Sequence, residues 1–192
     1  MRRIFKIIIA VFAVIIIVVV ALGALVLLDL AAYTATGSQT LPASGSEMGT
    51  ALVLYDPGLT GASTKVATRV ADDLQSQGLT VTLAGIKSSA ASDTSGYDVV
   101  VVGGPVYAGA PAASVRDALN NLQVDSTTAV GVYGSGSGAT APEDIASIKS
   151  SVSALQNGGD LSNAVVVKIG ETEDLNARAS DFVNQLLDQR IR

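Results

Sequence analysis

Five short apolar runs alternate with stretches of helical periodicity along this chain of 192 residues, and that alternation constrains its fold more than any other feature. The runs are Thr50 to Tyr55, Leu79 to Leu83, Val99 to Val102, Thr128 to Tyr133 and Ala164 to Ile169. Each is too short for a buried helix and apolar at nearly every position, which is the pattern of a strand covered on both faces. Between them, Ser63 to Gln77 carries Val66, Ala67, Val70, Ala71 and Leu74 on one helical stripe and stops at Gly78. Pro111 to Leu122, Pro142 to Leu155 and Glu173 to Gln189 read as further helices, with prolines near the first helical position of two of them. Gly85 to Gly96 is mostly loop. Strands that alternate with helices over short connections require right-handed crossovers and a parallel sheet. The expected fold is therefore α/β: a doubly wound five-stranded parallel sheet in the order 2-1-3-4-5. In such a sheet a ligand sits beyond the carboxyl ends of the strands where the winding reverses, between the first and third strands.

The first strand leads into Gly58-Leu59-Thr60-Gly61-Ala62-Ser63. Glycines allow close backbone approach, the hydroxyls of Thr60, Ser63 and Thr64 can donate, and the free N–H groups of a new helix carry its positive dipole end. That combination suits a phosphate, although the same residues also serve as a plain capped strand-to-helix turn. It is not a Walker A loop, because no Gly-Lys-Ser/Thr follows at the required spacing. The third strand runs into Gly104-Pro105-Val106-Tyr107-Ala108-Gly109 and the fourth into Gly134-Ser135-Gly136-Ser137-Gly138. Tyr107 can stack on a ligand ring or merely cover the sheet end, and the Gly134 to Gly138 run reads equally as a mobile surface loop. Lys65 reads as a solvated helix residue and Asp56 as a turn former.

Composition excludes several chemistries. The chain has no Cys, His or Trp. Disulfides, thiol redox, Cys/His metal sites, His-ligated haem and histidine triads are thereby ruled out, so any redox work falls to a bound organic cofactor. No catalytic side chain or metal ligand stands out. The net charge is −5, with no Lys/Arg cluster beyond the N-terminal tail, so a nucleic acid partner is not expected.

Ile7 to Leu28 contains no charged residue and follows Arg2, Arg3 and Lys6. As a helix it would span roughly 33 Å, against a bilayer core of about 30 Å. A single transmembrane helix is expected there, with a cleaved signal peptide or a buried helix as the alternatives. The basic flank places the N-terminus in the cytoplasm and the remainder on the extracytoplasmic side. The expected organisation is a tail and membrane helix over 1–30, a flexible linker rich in Thr, Ser, Ala and Gly over 31–49, and one α/β domain over 50–192.

From about Gly49 to Leu187 the chain resembles the flavodoxin family. Thr60, Gly61 and Ser63 match that family's Ser/Thr-x-Thr-Gly-x-Thr turn, while Gly58 replaces its first hydroxyl. Tyr97 to Tyr107 resembles the family's third strand and following loop, particularly in the branch containing membrane-associated flavin oxidoreductases. A phosphoaccepting receiver domain would instead need an aspartate where Gly103 and Gly104 stand. The resemblance implies FMN, its phosphate in the Gly58 to Ser63 turn and its ring between the Pro105 to Gly109 and Gly134 to Gly138 segments. It also implies that the backbone at Gly104 and Gly109 is free to reorient when the ring gains a proton. Three functions are consistent with it: electron transfer at the lipid bilayer to a membrane redox protein or quinone; an FMN-free binding or scaffold module; and a flavin-dependent quinone or porphyrinogen oxidoreductase.

Overall fold

Alternation within each central strand decides which side chain enters which layer. The structure, a computed structural model, describes residues 11–23 and 35–190, which belong to two separate compact units. In the first unit residues 11–23 are helical and all exposed. The remainder of the expected membrane span, residues 7–10 and 24–28, lies outside the described residues. No helix among the described residues is long and apolar enough to cross a membrane.

The second unit contains strands β1 (Ser38–Leu41), β2 (Gly49–Tyr55), β3 (Leu79–Gly85), β4 (Val99–Tyr107), β5 (Ala110–Pro111), β6 (Ala129–Gly136) and β7 (Val165–Gly170). Its helices are α1 (Ala62–Ser76), α2 (Ala113–Asn120), α3 (Pro142–Ser150) and α4 (Leu175–Arg190). Strands β3-β2-β4-β6-β7 form the parallel sheet, in the expected order. In β2, Ala51 and Val53 face a layer built by α1 and α4, through Val70, Leu74, Phe182 and Leu186. Leu52 and Leu54 face the opposite layer, where Val115 and Leu119 of α2 and Ile148 of α3 pack. Both layers are closed by apolar burial, the main stabilising term in such a sheet.

Among the described residues the sheet has seven strands, not five. β1 lies in the segment expected to be linker and pairs antiparallel with β3, from Ser38 opposite Ala84 to Leu41 opposite Val81. Its side chains are almost all exposed, so backbone pairing holds it and no hydrophobic alternation marks it in the sequence. β5 is the return arm of a hairpin on β4, through Ala108 and Gly109, both at positive φ as two-residue hairpin loops require. Pro111 therefore belongs to that arm and does not open a helix, and α2 starts two residues later. A proline suits a short edge strand because it has no N–H to leave unpaired. Helix α3 is also shorter than expected, giving way at Ser150 and resuming as a 3₁₀ turn over Ser153–Leu155. The connection between β3 and β4 contains only the 3₁₀ turn Ser89–Ser92, in line with its loop composition.

Gly103 and Gly131 are glycines for reasons of packing. A Cβ on Gly103 would enter the Tyr133 ring, and one on Gly131 would come within 2.7 Å of Phe182. Gly103→Ala is expected to lower stability by about 1–3 kcal/mol through overpacking, read as an earlier denaturation midpoint with an unchanged slope. An unshifted midpoint would show that Tyr133 does not lie across that position.

Candidate functional site

The turn after β2 is held from three sides. Asp56, itself buried, donates its N–H to the Gly103 carbonyl at 2.9 Å and so extends the β2–β4 ladder by one step. Its carboxylate accepts the Gly58 N–H at 2.9 Å and the Ser114 hydroxyl at the start of α2. A Cβ on Gly58 would lie 3.0 Å from the Pro105 ring, so the turn rests directly on the end of β4. Gly58 and Gly61 have φ values of 63° and 71°, the left-handed region that favours glycine. Gly61 is the residue from which α1 departs.

On the other side lies a buried hydroxyl pair. The Tyr133 phenol donates to the Ser63 carbonyl at 3.0 Å, and the Ser63 hydroxyl donates back to the phenol oxygen at 3.1 Å. Burial pushes the Tyr133 phenol far above its ordinary range, against the opposing effect of the Ser63 hydrogen bond. The Ser63 hydroxyl is therefore spent inside the protein and does not face a ligand. What the turn has left to offer is main chain: the amides of Ser63 and Thr64, in a first turn where no i−4 carbonyl of the helix reaches them, and the positive end of the helix dipole. Thr60 adds a hydroxyl that accepts the Ala62 N–H at 3.3 Å and donates to Glu171 at 3.5 Å.

The two other glycine-bearing segments are more strand than loop. Gly104 pairs with Gly134 and Pro105 with Ser135, and the Ser135 hydroxyl donates to the Gly104 carbonyl at 3.5 Å. Val106 fills the place of a side chain at Gly134, since a Cβ there would come within 2.5 Å of its Cγ2. Gly136 ends β6, leaving Ser137 and Gly138 beyond the strand. Thus Gly104-Pro105 and Gly134-Ser135 are paired neighbours in one sheet. Gly104 lies in the β4–β6 ladder, where a Cβ would meet Val115 and Asp56, and Gly109 lies in the hairpin turn at φ 85°. The glycines stand in the strands because Val115, Asp56 and Val106 occupy the room that side chains there would take. Tyr107, Ala108 and Gly109 project at the tip. Tyr107 is 42% exposed and Leu59 47%, and with Met48 they are the only exposed large apolar side chains described in the second unit.

Sequence reasoning missed the contribution of the β7–α4 bend. A cavity of about 360 Å³ beside the turn is lined by Thr60, Ala62 and Lys65, by Ser135, and by Gly170 and Glu171. Glu171 is fixed by its N–H, which donates to the Gly136 carbonyl at 3.0 Å. Glu173 accepts from the Gly170 N–H at 2.7 Å and the Thr140 hydroxyl at 2.6 Å, and pairs with Arg178 at 3.4 Å. Burial opposes its ionisation, but these partners outweigh burial and hold the carboxyl below its usual range. Lys168 of β7, almost buried, pairs with Asp144 at 2.8 Å beneath the same segment, and this bond holds the Asp144 carboxyl below its usual range. The position of Glu171, just past the carboxyl end of the fifth apolar run, was the available signal. A larger hollow of about 550 Å³ lies between the 86–95 connection and α2 and contains none of the expected site residues.

No protein-family model matches this chain, and no curated protein matches it by sequence. Solved structures do match. A short-chain flavodoxin associated with a non-canonical PDU bacterial microcompartment aligns at 20% identity over 73% of this chain and 97% of that one, with a TM-score of 0.50. The fold is flavodoxin-like. Oxidised flavodoxin 2 from Bacillus cereus gives 17% identity, 73% and 99% coverage and a TM-score of 0.51. The Flv1 flavodiiron core from Synechocystis sp. PCC6803 gives 18% and 0.50, with 75% of this chain covering 37% of that longer one.

The Tyr133 pair has a consequence at high pH. The unfolded phenol ionises near pH 10 whereas the folded one stays protonated, so the stability it contributes is present below about pH 10 and lost as pH rises further. Tyr133→Phe is expected to cost about 1–2 kcal/mol at neutral pH and to show a smaller loss of stability between about pH 9.5 and 11 than the native chain. Equal pH dependence in the two proteins would mean that the phenol is not buried.

Proposed function

We propose that this protein binds FMN at the carboxyl edge of its sheet and serves in electron transfer at a membrane. The observation that carries the reading is the start of α1: a left-handed glycine, Gly61, followed by first-turn amides that no helix carbonyl reaches, where the winding of a flavodoxin-like sheet reverses. The residues fit the group in kind. A Cβ on Gly61 would meet nothing within 4 Å, so the space beside the residue that precedes the Ser63 and Thr64 amides is open. Exposed Leu59 and Tyr107 flank the Gly58–Pro105 contact and offer apolar cover to a ring. FMN, when bound, supplies one- and two-electron chemistry. The chain itself supplies grip and exclusion of water: neutral donors hold the phosphate, and the buried Asp56 and Tyr133 fix the turn from below.

The tether is part of the same proposal. Residues 11–23 form an apolar helix exposed on all sides, from Val11 at 54% to Leu22 at 57%, and a helix apolar all round belongs in an apolar medium. With the basic residues Arg2, Arg3 and Lys6 ahead of it, the charge rule puts the N-terminus in the cytoplasm and the α/β domain outside. A flavin-free binding module is the second reading. It is favoured by one observation, that the Ser63 and Thr60 hydroxyls are both engaged within the protein.

With the full chain in detergent, FMN fluorescence is expected to be quenched in a saturable titration. Gly61→Val, which places a β-branched residue at positive φ, is expected to weaken binding at least about tenfold, whereas no quenching by the native chain would favour the flavin-free module. In cells, the native chain is expected to stay with the membrane pellet after alkaline carbonate washing. Its release into the supernatant would contradict the tether.

A further inference from the structure

The phosphate-facing turn is engaged by a carboxylate of its own chain. The one proton of the Thr60 hydroxyl points to Glu171 Oε1 at 3.5 Å, and its oxygen accepts the Ala62 N–H at 3.3 Å. One donor that would serve an anion, the Thr60 hydroxyl, is thus turned toward an internal carboxylate, and the Ala62 N–H is taken up by the same hydroxyl's oxygen. Glu171 is held in reach by its own N–H on the Gly136 carbonyl and by the bend that Glu173 stabilises through Gly170 and Thr140. Glu173 spends its charge on Arg178, while Glu171 forms no ion pair among the described residues. Lys65 lines the same cavity and is the opposing charge there.

We propose that Glu171 is a specificity residue of the turn: it occupies the Thr60 hydroxyl and repels a doubly charged phosphate, so that the site takes phosphorylated ligands less tightly than its main-chain donors alone would allow. This rests on the FMN reading of the same turn. A phosphate monoester carries about −1.5 to −2 charges at neutral pH, and a fixed carboxylate beside its binding donors raises its binding free energy without affecting an uncharged ligand. Glu171 is exposed, so the effect is screened by salt and modest in size.

The test compares FMN with riboflavin, which has the same ring and no phosphate, on the full chain in detergent. Glu171→Gln is expected to tighten FMN about three- to tenfold and to leave riboflavin within about twofold, with the FMN gain shrinking as salt is raised to about 0.5 M. Glu47→Gln, which makes the same change in net charge just ahead of β2 at the opposite edge of the sheet, is expected to change neither ligand. Native chain and Glu171→Gln binding FMN equally would overturn the inference alone. Equal tightening of both flavins by Glu171→Gln would also overturn it, by showing a general loosening of the site. If neither protein binds either flavin, the FMN reading falls and takes the inference with it.

Discussion

The candidate site depends on a phenol that crosses one strand to hold the first turn of a helix. Tyr133 leaves β6, lies over Gly103 of β4 and bonds both the hydroxyl and the carbonyl of Ser63 in α1. A side chain at Gly103 would block the ring, and loss of the phenol would leave Ser63 Oγ without its buried partner, which costs more than an ordinary hydrogen bond is worth. Three elements separated in sequence are locked into one corner in this way. Asp56 performs the matching task on the other layer, joining the turn to α2 through Ser114. The amides at the start of α1 are consequently fixed on both sides before any ligand arrives, which lowers the ordering cost of binding one.

The electrostatic character of this corner would be unusual for the proposed phosphate site. Among the described residues no arginine or lysine cluster adjoins it, and the charges lining the adjoining cavity are Lys65, Glu171 and Glu173. Attraction must then come from oriented N–H groups and the helix dipole, which are short-ranged and indifferent to the sign of distant charges. An acidic chain with net charge −5 gains nothing from long-range steering of an anionic cofactor. Affinity would rest on contact geometry at Gly61 to Thr64 and on apolar cover from Leu59 and Tyr107.

Much of this was legible in the sequence because burial on both faces writes itself as continuous apolar runs. Val99 to Val102 and Thr50 to Tyr55 announced β4 and β2, and their central positions followed from the winding rule. β1 was not legible, since Ser38 to Leu41 is held by backbone pairing and its composition is that of a linker. The glycine segments misled in a consistent way. Gly104 and Gly134 to Gly136 read as loops because glycine usually ends a strand, yet here they are places where Val115, Asp56 and Val106 need the room a side chain would take. Ser63 was read as a ligand donor because hydroxyls at a helix start commonly face outward; its partner lies seventy residues away and no local pattern could reveal it. Asp56 and Lys65 were passed over as ordinary polar residues, and only the three-dimensional corner shows that one is buried and the other lines a cavity.

The central claim is that main-chain amides at the start of α1 receive a phosphate. Amide resonances of the full chain in detergent micelles, followed while FMN is added, test it most directly. The account predicts that Gly61, Ala62, Ser63 and Thr64 shift together and saturate with the flavin signal. Saturable binding that leaves those four amides unmoved and shifts residues elsewhere would contradict it.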